Sequence, residues 1–532
     1  MSEEIDVQEG PVEDPKLALS RRSFLEVLMA SMAALALPAC EFRSPKEKVV
    51  PYLDMPEALT PGNAQWYASV CQGCASNCGL LVKVRDGRPI KVEGMPEHPL
   101  SQGGVCARGQ GTVLDLYLSE RHQQPTIKGK PATLQAADAY IQEKLNNAQG
   151  KIYFLMAQNS SPSIQAALAA FKKKYPNTVI VRNEPVSASA IAEAHRLAFG
   201  KRVIPQYRFD RAGVVVGFNA DYLDTWLSPV QFTKAWSKRR QPGKKMSKTI
   251  QYESRLTLTG SKADERYRIK PSEEKAALAY LLGVLARHRG GAVAGTFISF
   301  TNVALPDEIK KALVETARRL IEASGETLVV CGSDDVESQL LVCGINSLLG
   351  NYGETIDMAR YSQQRAIDHV QPLLEDLKQG KVAVLFTWET NPVYAVPGFK
   401  DLMQKAGVTV SLSSRNDETS AASDVIVPDT HFMASWRDAE PVKGLYTLGQ
   451  PVIRPLYRGT RPVLQSILAF AGVKQTAYRF IRKVWKENIY PQVKDAKAFQ
   501  AFWLKTVQLG FVETKPAPES TPSIRMAAVA RV

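Results

Sequence analysis

From residue 151 onward, short unbroken apolar runs alternate with longer stretches in which apolar positions return every three or four residues. The runs are "KIYFLMA", "TVIVRN", "GVVVGFN", "TLVVCG", "VAVLFTW" and "VTVSLS". A strand covered on both faces is apolar on both, so each run predicts a strand of a parallel sheet. Between them, "SIQAALAAFKKKY", "SEEKAALAYLLGVLARH" and "DEIKKALVETARRLIEA" carry the helical period. The alternation predicts parallel α/β layers, with helices covering the sheets. Nearer the start, "GLLVKVRDGRPIKVEG" alternates around Asp86-Gly87, which predicts a β-hairpin. After residue 460 the pattern turns helical and aromatic, in "VLQSILAFAGV", "FIRKVWKENIY" and "FQAFWLKTV", before a Pro-rich tail.

These changes divide the chain into five parts: a leader over 1–40, a small β-rich domain over 41–125, α/β lobes over 126–290 and 291–460, and a helical extension and tail over 461–532. The leader reads "LSRRSFLEVLMASMAALALPAC". Arg21 and Arg22, followed by Phe24 and Leu25, resemble a twin-arginine export signal. The apolar run behind them is short for a membrane span and is interrupted by Glu26. It ends in "LPAC", which resembles a lipoprotein cleavage box and makes Cys40 the expected lipidation site; cleavage without lipid is the alternative. The expectation is an extracytoplasmic protein lying on a membrane.

Composition adds little until charge is counted. Apolar residues are 45% and charged residues 23% of the chain, ordinary for a globular protein. The net charge of +14 favours an acidic partner or an anionic membrane surface. No compact module for reading nucleic acid is present, and the basic run "KRRQPGKK" is broken by Pro and Gly, as a solvated loop would be.

The cysteines are the candidate chemistry. Four of the seven, Cys71, Cys74, Cys78 and Cys106, follow C-x2-C-x3-C-x27-C. Three thiolates on one loop and a distant fourth match the way a [4Fe–4S] cluster is held. Structural zinc and a pair of disulfides are the alternatives. Zinc usually takes two C-x2-C knuckles, and a chain this large does not depend on staples. Cys331 and Cys343 sit in apolar runs and read as core residues.

The spacing, followed by "KVEGMPEHP" and then "GVCARG", resembles the N-terminal cluster domain of the molybdopterin oxidoreductase (dimethyl sulfoxide reductase) family. That resemblance implies Rossmann-like parallel α/β lobes, and it places Arg108 between cluster and pterin. "ETNP" and "DETSAASDVIVPD" resemble further segments of the family and cover Asn391, Pro392, Glu418, Thr419 and Asp424.

Departures from the family shape the expected function. Ser187, in "NEPVSASAIAEAHRLAFG", falls near the place of a metal ligand but also opens a helical stretch, where a serine caps. Where the family writes P-G-T-D to hold guanine, this chain has "KPSEEKAAL", with Glu273 and Glu274. The C-terminal cofactor-binding β-barrel is expected to be missing. The segments "FNADYLDTWLSPV", "ESRLTLTGSKADERYRIKPSEE", "GNYGETID" and "PVIRPLYRGTRPVLQSILAFAGV" are similar to the molybdoenzyme-like half of the large subunit of alternative complex III. The molybdoenzyme-like subunit of the bacterial quinone reductase complex is similar too. The resemblance implies a non-catalytic electron-transfer and scaffold subunit with one [4Fe–4S] cluster and no molybdopterin. It implies three partners: a ferredoxin-like multi-cluster subunit, a multi-span quinone-binding membrane subunit and a c-type cytochrome. A catalytic molybdenum bis-pterin enzyme acting on a small oxyanion or sulfur compound is the alternative. The basic surface and "FIRKVWKENIYPQ" are expected docking faces.

Overall fold

The computed structural model describes residue 22 and residues 60–243, 245–363, 370–493, 498–514 and 522–532. Arg21 and Cys40 lie outside the described residues, and Arg22 is exposed. All the sheets belong to the unit Pro61–Val532.

Strands β1 (Gln65–Val70), β2 (Gly79–Arg85) and β3 (Arg88–Gly94) form an antiparallel sheet in that order. Asp86 and Gly87 both take positive φ, 50° and 74°, as the tight hairpin turn between β2 and β3 requires. Leu80, Val82 and Val84 of β2 alternate inward and meet Val92 of β3 and Leu116 of helix α1 (Ala107–Leu116). The expected hairpin is therefore present, and its apolar face forms a small core of its own.

The six apolar runs are all strands, divided between two sheets. A seven-stranded sheet contains five adjacent parallel strands in the order Val425–Ile426, Val408–Ser411, Val382–Trp388, Lys151–Met156 and Thr178–Arg182, the last of them at one edge. A four-stranded parallel sheet runs Glu265–Arg268, Lys248–Glu253, Val214–Phe218 and Thr327–Cys331. In each sheet the first strand in sequence lies inside, with later strands on both sides, the doubly wound arrangement of a Rossmann-like lobe.

The lobes are not consecutive in sequence, so the division at residue 290 does not describe the sheets. Strands from before Asn183 and after Lys381 build the larger sheet, and the smaller one is made wholly between them. Parallel strands need crossovers, and a crossover accommodates a whole lobe as readily as one helix.

An antiparallel five-stranded sheet was not anticipated. Its order is Phe511–Glu513, Leu445–Gly449, Arg437–Val442, Ile356–Ser362 and Ile204–Tyr207. It corrects the purely helical reading of residues 461–532, because Phe511–Glu513 is an edge strand of this sheet. No closed barrel occurs among the described residues.

The segment "FIRKVWKENIYPQ" also needs correction as an aromatic docking face. Phe480, Ile481, Val484, Trp485 and Ile489 are buried in the core beneath the seven-stranded sheet. Trp485 donates its indole N–H to the Asp438 carboxylate at 2.9 Å. Ser161 and Ser163 also donate to Asp438, so a carboxylate buried in an apolar core has three donors.

His195, on helix Ser189–Phe199, is buried beneath the smaller lobe. Its Nδ1–H donates to the Ile191 carbonyl at 2.7 Å, leaving Nε2 to accept from the Tyr352 hydroxyl at 3.2 Å. Burial lowers its pKa to about 4 from 6.5, against the opposing Ile191 bond. The unfolded chain therefore binds the extra proton between those values. The stabilisation is complete above pH 6.5 and is lost as pH falls toward 4. Urea unfolding at pH 7 and pH 5 should show a drop of about 2 kcal/mol from this residue. His195→Gln should lose that share of the drop; an unchanged pH dependence would show that His195 is not its source.

Candidate iron–sulfur site

The loop leaving β1 returns at once to β2, so its cysteines are held by backbone contacts at both ends. Cys71 N–H donates to Cys78 O at 2.9 Å, and Asn77 N–H to Cys74 O at 3.3 Å. Asn77, at φ 43°, turns its amide back to the Cys71 carbonyl. The fourth thiol enters from elsewhere. Cys106 has extended backbone (φ −85°, ψ 170°) and is the N-cap of α1, whose positive end favours nearby negative charge.

Arg108, in the first turn of the same helix, donates to the Gly73 carbonyl at 2.9 Å and so straps α1 to the cysteine loop. Gly73 leaves room for this: a Cβ there would meet Arg108 Cδ at 3.1 Å and Cys71 Sγ at 3.4 Å. The structure thus brings together all five residues chosen from sequence. Cys71 and Cys78 each lie within electrostatic reach of Cys74 and Cys106, and Arg108 lies within reach of Cys71.

Burial pushes the Cys71 thiol up to about 12 and Cys78 well above its ordinary value. Two buried thiols are thus poor places for bare negative charge, whereas Cys74 is exposed at the rim. All six described cysteines are free, which leaves no disulfide among them. No three His, Cys, Asp or Glu side chains among the described residues converge tightly enough for a single ion. Four soft sulfur donors sharing one neighbourhood are the donor set that an iron–sulfur cluster takes, three from one loop and the fourth from a helix start.

The other candidates are structural. Ser187 Oγ accepts the N–H of Ser189, the first residue of its helix, so it does the work of a capping serine from one residue before the N-cap Ala188. Asn391 and Thr419 are locked together: Thr419 donates its hydroxyl to Asn391 Oδ1 at 2.7 Å, and Asn391 donates to Glu418 at 2.6 Å. Asp424 accepts the N–H and hydroxyl of Thr409 at 2.9 and 2.8 Å, pinning two strand ends. Pro392 is buried at the first turn of its helix. These segments fasten parts of the seven-stranded sheet and its connections to each other.

Glu274 was legible only as a departure; the structure gives it a place. In the smaller sheet, the crevice between Val214–Phe218 and Thr327–Cys331 is where such folds receive a dinucleotide. Glu274 is buried there, accepting from Asn219 Nδ2 and, at 3.1 Å, from the Cys331 thiol. Burial raises its pKa, with both hydrogen bonds opposing. Glu273 instead closes on the Lys270 backbone N–H at 2.8 Å. The two strand ends are also in direct contact, since a Cβ on Gly332 would lie 2.2 Å from Asn219 O. A buried acidic side chain at this strand-end position is a poor neighbour for an anionic pyrophosphate cofactor.

Sequence reasoning missed the ion cluster beside the cysteine domain. Arg437 donates to Asp429 at 2.8 Å and faces Glu389 at 3.9 Å, while His431 faces Asp115 of α1 at 3.6 Å. Little in the sequence signals it, since "SWRDAEPV" carries three charges in eight residues and reads as a solvated stretch until its partners are seen. Gln72, between the first two cysteines, lines a small cleft with Trp388, Trp436 and Arg437.

Residues 64–116, which contain all four cysteines and end with α1, match the family described as the molybdopterin oxidoreductase Fe4S4 domain. This chain carries a molybdopterin oxidoreductase Fe4S4 domain. Beyond the Fe4S4 domain, 86% of the chain aligns at 25% identity with 72% of the "Menaquinone reductase, molybdopterin-binding-like subunit" of Nitratidesulfovibrio vulgaris. An arsenate respiratory reductase molybdopterin-containing subunit from a Shewanella species is 23% identical over 40% of this chain, and the match spans only 26% of that relative. Acetylene hydratase from Pelobacter acetylenicus superposes with a TM-score of 0.64 at 12% identity, over 84% of this chain and 74% of the other. The last likeness shows that the two chains share a fold, the mixed α/β architecture with a small N-terminal β domain described above.

Proposed function

We propose that this chain is an extracytoplasmic electron-transfer and scaffold subunit of a quinone-linked membrane oxidoreductase. It holds one [4Fe–4S] cluster on Cys71, Cys74, Cys78 and Cys106 and works without molybdenum. The observation that carries this reading is the contrast between an intact four-thiol seat and a dinucleotide crevice filled by Glu274. When bound, the cluster supplies one-electron storage. The chain's own part is to shield Cys71 and Cys78, leave Cys74 at the rim, and set Arg108 and the α1 end against the negative charge.

The likeness to a menaquinone reductase subunit supports a quinone-linked setting and favours the cytochrome:quinone reductase arrangement over the quinol-oxidising alternative complex III. Either arrangement needs a ferredoxin-like multi-cluster subunit, a multi-span quinone-binding subunit and a c-type cytochrome. One cluster cannot by itself link a membrane quinone pool to a soluble carrier, and among the described residues no helix is long and apolar enough to cross a membrane. Purification through a tag on this chain in mild detergent tests that partner set.

Metal analysis decides the cofactor. Iron and acid-labile sulfide are expected at about four each per chain, with negligible molybdenum. Stoichiometric molybdenum with extractable pterin would defeat the scaffold reading and return Ser187 as a ligand. Location has its own test. With Arg21 and Arg22 both replaced by Lys, the precursor should stay in the cytoplasm, because export reads the guanidinium pair. Unimpeded export would remove the twin-arginine assignment. Cys40→Ser should abolish labelling by a fatty-acid probe.

A further inference from the structure

Helix Ala477–Val484 buries Ala477, Phe480, Ile481 and Val484. Its other side carries Arg479 and Lys483, with Lys486 in the turn that follows, at spacings of four and three, all exposed. Lys474, before the helix, is exposed as well. The end of helix Pro162–Lys174 adds Lys172 and Lys173, both exposed. Lys174 donates to the Phe470 carbonyl at 3.2 Å and lies against Gly472, which sets that helix end beside the turn leading to Lys474.

The surface is cationic without internal compensation. No acidic residue occurs from Pro162 to Lys174 or from Val463 to Lys486; the first carboxylates after the two stretches are Glu184 and Glu487. Among the described residues, none of the six exposed cations is paired with a carboxylate. Arg482 is different, because it is half-buried and its guanidinium packs 5.5 Å over Phe499 and 5.6 Å over Trp503.

We propose that this face binds the phosphate headgroups of an anionic lipid bilayer. Five of the six cations are lysines, hydrated point charges suited to a diffuse anionic surface, whereas a protein carboxylate site favours the arginine fork. The neighbouring helix Phe499–Leu509, whose Gln500 accepts from Arg482 at 2.7 Å, carries an exposed apolar side chain one turn further on: Leu504 is 59% exposed. Cations beside an exposed leucine are what a helix resting on lipid presents. The contact would hold this edge of the molecule against the membrane independently of any acyl anchor.

The test uses the full chain with Cys40→Ser throughout, so that no acyl group contributes. Flotation with vesicles of phosphatidylcholine alone, and of phosphatidylcholine with phosphatidylglycerol, measures binding. The chain should prefer the anionic vesicles, and the preference should fade with added salt. The variant Arg479→Glu with Lys483→Glu should bind them at least about tenfold more weakly, since each cation near such a surface contributes measurably. An equal charge change at Lys311 and Lys400 should leave binding intact, and unchanged unfolding midpoints establish that each variant folds. Equal binding by the Arg479/Lys483 variant and the parent would overturn the proposal. So would loss of partner subunits from that variant with vesicle binding preserved, which would make the face a protein-docking surface.

Discussion

Cys78→Ser is expected to bring the iron content of the purified chain close to zero and to abolish the low-temperature paramagnetic signal of the reduced protein. Cys78 is buried, and its carbonyl closes the loop by accepting from Cys71 N–H. The substitution replaces a soft thiolate with a hydroxyl that ionises only at far higher pH. Iron–sulfur ligation depends on thiolate, and three remaining donors leave one iron corner open to water and oxidation. Cys331→Ser provides the control. That thiol is equally buried but hydrogen-bonds to Glu274 in the smaller lobe, so iron should be unchanged. Full iron in Cys78→Ser, or loss in Cys331→Ser, would show that the four-cysteine assignment is mistaken.

Gly94→Ala should be the most damaging single-methyl change in the Fe4S4 domain. Gly94 ends β3, and an added Cβ would lie 2.4 Å from Gly104 O and 2.5 Å from Gly103 C. These are backbone atoms, fixed by hydrogen bonds from Gly103 N–H to Met95 O at 2.9 Å and from Gly104 N–H to Ser101 O at 2.6 Å. The clash can be relieved only by lifting β3 or by shifting the turn that leads directly to Cys106. A loss of about 3 kcal/mol or more is expected, with reduced iron retention. Gly111→Ala has open space around it on α1 and should be neutral or stabilising by up to about 1 kcal/mol. If thermal unfolding and iron analysis cannot distinguish the two variants, the tight packing of β3 on the Gly103–Gly104 turn is not what holds this domain.

The parts of the fold that could be read from sequence are those where one local rule dominates. Strands such as Val214–Phe218 are covered on both faces, so they are apolar throughout and stand out. Asp86-Gly87 announces its hairpin because few other pairs accept positive φ at both positions. The five-stranded sheet obeys no such rule. Arg437–Val442 carries Arg, Asp and Glu, charges that a strand tolerates only with partners from elsewhere in the fold, and Phe511–Glu513 has only three residues. Its pairing is settled by tertiary contacts that a short window of sequence does not contain. The same division runs through the site. The cysteine spacing was legible because chemistry fixes it, and Arg108 because of where it follows Cys106. The filling of the smaller sheet's crevice was not, since Glu274 reads as an ordinary first-turn acid until Asn219 and Cys331 are seen beside it.

The divided construction of the seven-stranded sheet has a consequence for synthesis. Lys151–Met156 is an interior strand of it, yet its neighbour Val382–Trp388 leaves the ribosome roughly 230 residues later, about 10–50 s at ordinary elongation rates. For that interval a nearly all-apolar strand has one side unpaired, while the smaller lobe completes itself in between. A nascent chain in this state is a natural client for a holdase, and its vulnerability ends only when translation passes residue 388. Slowing elongation within residues 183–381 should therefore lower the soluble yield more than the same pause placed after 388.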